Sequence, residues 1–331
     1  MYERILAEQQ DALESLQKEY NEAKERFEIA YKDATDKFVG EASQYRYFND
    51  DTLLSSPPVS RAAYSDRTAW VMASMSQLAY QSFEKDPGAL GLFVSKLGSG
   101  QFKLVEKFSV KGTQAFLAHN DKYAVLAFRG TESDWRDVQA DIRAKREVTD
   151  QGKIHSGFYQ AYGLVSGSIK DKLPEVKDFP LYITGHSLGG ALATVATQDL
   201  EQSGFKDQIA ACYTFGSPRV GNADFDKNIK SPVYRVINFV DIVTFVPLLT
   251  MGFIHVGDER YLDRGLPEQI RRFRPLSQRI YFLLSLLTLL VPAIGAHGIK
   301  NYIEKLERIA LGNNWDLMMA IAEKENENRK G

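Results

Sequence analysis

Hydrophobic positions follow three different rhythms along this chain. Near the start, Leu6, Leu13, Tyr20, Phe27 and Ala34 recur every seven residues, and Leu16, Ala23 and Ala30 fill the position three further on. Apolar residues at that spacing share one stripe of a helix, so residues 1–55 are expected to form a long amphipathic helix or coiled coil. The seam is soft, because its alanines and tyrosine bury little. Two destinations stay open for it: packing on its own domain or a hairpin partner, and an oligomeric or partner-binding coiled coil. The stretch SSPPVS, Ser55 to Ser60, ends the helix, since consecutive prolines cannot sit inside one. A domain boundary belongs there, with a second unit over 61–331.

The second rhythm begins at Arg61. Short apolar runs, AFLAHN, KYAVLAFRG, LYIT, AACYTFG and YRVINFV, alternate with helical stretches such as TAWVMASMSQLAYQSF. Buried strands alternating with helices predict an α/β fold with a mainly parallel central sheet covered by helices on both faces. The third rhythm is a continuous run, IYFLLSLLTLLVPAIGA, uncharged from Ile280 to Ala296 and preceded by Arg271, Arg272, Arg274 and Arg279. As a helix it would reach about 26 Å, the lower limit for a bilayer span, and Pro292 and Gly295 interrupt it. It is read as a lid or membrane-interface segment over 280–296, whose basic flank would meet anionic head groups. A buried core helix and a transmembrane anchor are the alternatives.

Composition changes this picture little. The chain has 331 residues, a net charge of -2 and ordinary globular proportions, so nothing pulls it toward nucleic acid. A single cysteine, Cys212, excludes an intrachain disulfide and points weakly to a reducing compartment. MYERILAEQQDALE lacks a basic start followed by an apolar core, so no signal peptide is expected. The expected location is cytoplasmic or peripheral to a membrane, with secretion only by a signal-peptide-independent route.

Candidate chemistry centres on Gly185-His186-Ser187-Leu188-Gly189, which fits the G-x-S-x-G nucleophile elbow. LYIT before it reads as a strand and Ala191 to Leu200 after it as a helix. A serine held in that strained turn projects its hydroxyl above the sheet, and glycines at positions 185 and 189 avoid clashes there. His186, inside the elbow, is expected to pack beneath or beside the turn. A structural turn without chemistry is the plain alternative. A serine nucleophile needs a base oriented by a third group, in the chain order serine, acid, histidine for this kind of elbow. Asp241 ends an apolar strand, where an unpartnered carboxylate would be costly, although a turn or cap would also explain it. His255 and His297 follow it. His297, between Ala296 and Gly298 just before a helix, is preferred; His255, expected on the next strand, is the fallback. His119 and His155 precede the elbow and read as structural. Oxyanion donors are expected at the backbone N–H of Leu188 and in the loop Arg129-Gly130-Thr131.

Taken together, FRGTESDWRDVQADI, HSGFYQAY, ITGHSLGGALA, TFGSPRVGN and NFVDIVTFVP resemble, in order, the successive blocks of the class 3 (fungal-type) lipases. The resemblance covers roughly Thr68 to Lys305. It implies an α/β-hydrolase fold, with Ser187, Asp241 and His297 as the triad and Thr131 and Leu188 as oxyanion donors. HGIKNYI is similar to the family's histidine-to-tyrosine spacing. Ala296-His297-Gly298 departs from the usual aspartate before and serine-like residue after the histidine. The N-terminal helix, the run 280–296 and the lack of disulfides also depart from the secreted fungal pattern. The implied activity is cofactor-free and metal-free hydrolysis of acylglycerol esters. The alternatives are a phospholipase A1-type enzyme, which could be a delivered effector, and an inactive hydrolase-fold interaction protein. Expected partners are a lipid ester and a membrane or lipid interface, with an oligomer or partner through the N-terminal helix.

Overall fold

The computed structural model describes residues 62–80, 87–130, 146–149, 152–238, 241–245, 247, 251–262, 270–271 and 297–312. The helix expected over 1–55, Thr131, Gly295, Ala296 and the rest of 280–296 lie outside them.

In chain order come helices α1 (Asp66–Leu78) and α2 (Pro87–Ser99), then strands β1 (Lys103–Val110), β2 (Thr113–His119) and β3 (Ala124–Phe128). A small hairpin, β4 (Arg146–Thr149) and β5 (Gly152–His155), leads into α3 (Ser156–Lys172). Next are β6 (Leu181–His186), α4 (Leu188–Leu200), β7 (Ile209–Phe215), α5 (Ala223–Asn228) and β8 (Val233–Asn238). β9 (Asp258–Leu262), β10 (Ile270–Arg271) and α6 (Ile299–Gly312) complete the described elements. The main sheet runs β1-β2-β3-β6-β7-β8-β9-β10. β3, β6, β7, β8 and β9 pair in parallel, the first four from the apolar runs that predict such a sheet and β9 from a charged segment, DERYL, that those runs do not include.

Both ends of the sheet are antiparallel, which the sequence reading did not contain. The cause at the first end is local. Lys111 (φ 47) and Gly112 (φ 86) make a two-residue hairpin turn that folds β2 back on β1. Asn120 Oδ1 accepts the N–H groups of Lys122 and Tyr123, both at 2.9 Å, and turns β2 into β3. β1 itself, KLVEKFSV, is an edge strand with charged, half-exposed positions, and so lacks the apolar signature of its neighbours.

The central strands are buried on both faces and divide their side chains by the period of two. From β6, Leu181 and Ile183 enter the core under α3 and α4, while Tyr182 enters the core under α1 and α6. β3 does the same with Leu126 and Phe128 on one side and Val125 and Ala127 on the other. Ser65 caps α1, its hydroxyl accepting from Thr68 N–H. α1 is buried from Thr68 to Leu78 because it lies between the sheet and α6. Ser76 of α1 meets the Thr184 hydroxyl of β6 at 2.9 Å, which registers the helix against the strand entering the elbow. Among the described residues no helix is long and apolar enough to cross a membrane.

Candidate active site

β6 ends at His186 and α4 starts at Leu188, so the reversal from strand to helix falls on Ser187 alone. Its backbone takes φ 57 and ψ -128, a conformation that costs a non-glycine residue on the order of 1–3 kcal/mol. The neighbours impose it. Ser187 N–H donates to Phe215 O at 2.9 Å, and Ser187 O accepts from Gly190 N–H at 2.9 Å. A Cβ on Gly185 would run into the Gly189 carbonyl and lie 2.7 Å from Gly190 N. One on Gly189 would meet the Phe128 carbonyl and stand 2.8 Å from Arg129 C. The glycines thus let α4 close onto the ends of β3 and β6. Leu188 opens α4, so its N–H belongs to the first turn, whose amides have no acceptor within the helix.

Asp241 follows β8 and is fully buried. Its carboxylate accepts from His297 Nδ1 (2.9 and 3.0 Å to the two oxygens), from Tyr302 OH at 2.5 Å and from Val243 N–H at 3.0 Å. Three donors compensate a charge that would otherwise be costly at this depth. Tyr302, one turn into α6, is itself held by Asn238 N–H, which donates to its hydroxyl at 2.9 Å. Because the carboxylate only accepts, Nδ1 of a neutral His297 carries the proton and Nε2 is left basic. Gly216, at φ 57, lies against this pair: a Cβ there would be 2.5 Å from Asp241 Oδ2 and 2.9 Å from the His297 ring. Gly216→Ala is therefore expected to push the carboxylate and imidazole out of register and lower kcat for p-nitrophenyl butyrate by about 10²-fold. Steady-state kinetics on the folded variant check this.

The structure links the base candidate to the elbow through His186. His186 Nε2 lies 2.7 Å from His297 O, its Nδ1 lies 2.7 Å from Tyr80 OH, and the two imidazole rings are 4.5 Å apart. Burial, then the neighbouring His297 charge, hold the His186 pKa well below the usual range, so the ring is neutral. The expectation that His186 packs beside the turn leaves out these polar contacts. It is His297, not His255, that meets Asp241. His255 lies in the connection between Ile254 and β9, not on the expected strand, because Gly257 (φ 84) turns the chain before β9 begins. His155 stacks on Phe158 at 4.2 Å and His119 on Phe179 at 4.8 Å, both away from this cluster. Arg219 Nη1 donates to Pro247 O at 2.7 Å and ties the SPRVGN segment to the chain following Asp241. Among the described residues no group of three or more His, Cys, Asp or Glu gathers as a metal centre would.

Sequence reasoning passed over Tyr80, Gly216 and Val243. Tyr302 was visible only as a spacing from His297. Tyr80 is 106 positions from the histidine it touches, and nothing local in QLAYQSF marks it.

Residues 125–251 match the family model for class 3 lipases. The chain is 31% identical over 200 residues to a lipase of Rhizomucor miehei, covering 56% of this chain and 55% of that protein. It is 40% identical over 171 residues to phospholipase A1-II 1 of Oryza sativa, covering 43% of each. The chain spans about half the length of the curated relatives it matches. Among solved structures it is similar to a triacylglycerol lipase described as having a serine protease triad at its catalytic centre. That match has 28% identity and a TM-score of 0.52 over 63% of this chain and 85% of the other.

Proposed function

We propose that this chain, which belongs to the class 3 lipase family, is a serine hydrolase of lipid carboxylic esters. The observation that carries the proposal is the Asp241–His297 pair tied to the Ser187 elbow through the His297 carbonyl. Ser187 Oγ attacks the ester carbonyl carbon while His297 Nε2 takes its proton. Asp241 holds Nδ1–H and stabilises the imidazolium that forms. The N–H groups of Leu188 and Thr131 are assigned to the tetrahedral oxyanion. Collapse expels the alcohol, which leaves with the proton from His297. Water then attacks the acyl-enzyme, His297 again taking the proton and returning it to Ser187 Oγ as the fatty acid departs. No step calls on a metal or organic cofactor.

Acylglycerol is the first substrate class. Membrane phospholipid cleaved in the manner of a phospholipase A1 is the second, favoured by the basic residues preceding the uncharged run 280–296 and by the likeness to the rice protein. We assign that run to contact with a lipid interface, and the heptad stripe of residues 1–55 to an oligomer or a partner, as a delivered effector would require. The setting assigned is cytoplasmic or peripheral to a membrane. Product analysis with triolein emulsion and with phosphatidylglycerol vesicles tests the reading, with Ser187→Ala as control. Serine-dependent fatty-acid release from either supports it and ranks the two classes. Release from neither, or release unchanged in Ser187→Ala, overturns it.

A further inference from the structure

The period of two along β6 sends Tyr182, Thr184 and His186 to the face covered by α1 and α6. Ser76 of α1 meets Thr184, and Tyr80, just beyond the end of α1, meets His186. Four residues of helix advance about 6 Å and two residues of strand about 6.6 Å, so the two contacts share one register. α6 lies against the same face and is preceded by His297. One end of this layer therefore brings a phenol from α1, an imidazole from β6 and a backbone carbonyl from the start of α6 into a single line.

Hydrogen-bond chemistry gives that line a direction. The His297 carbonyl can only accept, so Nε2 of His186 must carry its proton. A neutral ring has one proton to place, so Nδ1 accepts, and Tyr80 OH donates to it. Two polar groups are buried here, where an apolar pair would fill the space without needing partners. They fix the backbone of the residue that carries the proposed base, from the residue adjoining the proposed nucleophile. Tyr80 also borders the strand end before Thr131: a Cβ on Gly130 would run into its hydroxyl and lie 2.8 Å from His186 O.

We propose that Tyr80 and His186 are positioning residues, a directed chain from Tyr80 OH to His186 Nδ1 and from His186 Nε2–H to His297 O that sets where the His297 ring stands. The proposal rests on the reading of Ser187 and His297 as nucleophile and base. Asp241 controls the tilt and tautomer of that ring from one side, and the chain controls its point of attachment from the other.

The test uses the full chain with Tyr80→Phe, His186→Phe and His186→Gln, each normalised to active sites titrated with a fluorophosphonate. His186→Phe keeps the ring and removes both bonds. It is expected to lower kcat for p-nitrophenyl butyrate by about 10²-fold, through misplacement of the base. KM should move less than about threefold, as for an interaction made in the transition state. His186→Gln returns a donor at the position of Nε2 and should recover about tenfold of the loss. Tyr80→Phe should fall between wild type and His186→Phe. The ¹⁵N spectrum of His186, recorded in a Ser187→Ala background, should show Nε2 protonated and Nδ1 as acceptor, with Nδ1 shifting when Tyr80→Phe is added. A protonated Nδ1, wild-type kcat per active site in His186→Phe, or no recovery in His186→Gln would overturn the chain. Failure of the hydrolase reading would show separately, as esterase activity surviving in Ser187→Ala, because the ¹⁵N result does not depend on turnover.

Discussion

Replacing Ser187 by alanine is expected to lower kcat/KM for p-nitrophenyl butyrate by about 10⁴–10⁶-fold, to a residue of catalysis left by binding and the oxyanion donors. The turn at position 187 is held by the Phe215 carbonyl and by Gly190 N–H, and three glycines let it close, since their Cβ atoms would collide with the Gly189 carbonyl, with Phe128 and Arg129 at the end of β3, and with Ser217. None of these contacts involves the serine hydroxyl. Alanine bears the same φ 57 strain as serine, so the elbow keeps its shape and the variant should melt close to the wild type. A large loss of activity without a loss of stability separates a nucleophile from a structural serine. The measurement is initial rate against substrate concentration, paired with a thermal melt.

Asp241→Asn should lower kcat by about 10⁴-fold, for a different reason. The carboxylate now accepts from His297 Nδ1, Tyr302 OH and Val243 N–H together. An amide has one accepting oxygen and one donating nitrogen. Val243 N–H donates to Oδ1 and Tyr302 OH to Oδ2, while His297 Nδ1 reaches both oxygens, so an NH₂ at either position faces His297 Nδ1 and favours the tautomer with Nε2 protonated, which cannot take the serine proton. With the NH₂ at the Oδ2 position the Tyr302 hydroxyl turns from donor to acceptor; with it at the Oδ1 position the buried Val243 N–H loses its acceptor, at about 1–3 kcal/mol. Both branches cost function, and the second also costs stability. Kinetics and denaturation on the same preparation distinguish them.

The sheet and the elbow were legible because their signals are local. LYIT and AACYTFG carry no charged residue since β6 and β7 are buried on both faces, and the G-x-S-x-G pattern is contained in five residues, although the collision at Gly189 is with Phe128 and Arg129 at the end of β3. Asp241 could be picked out because a charged residue closing an apolar strand needs a partner. His297 was preferred over His255 by its place before a helix, and α6 does begin two residues after it. The antiparallel edge was not legible, because β1 mixes charged and apolar positions and its pairing depends on a two-residue turn at Lys111-Gly112. The contact between Tyr80 and His186 was not legible either. It arises from the registration of α1 on β6, which no spacing within either segment encodes.

The central claim is that Ser187, activated by His297, is the acyl-accepting group. It is tested most directly by treating the protein with a fluorophosphonate and locating the adduct by mass spectrometry. The account predicts a single phosphonyl group on Ser187, absent from Ser187→Ala and formed far more slowly in His297→Ala. An adduct on another residue, equal labelling of Ser187→Ala, or no labelling of the folded wild-type protein would contradict it.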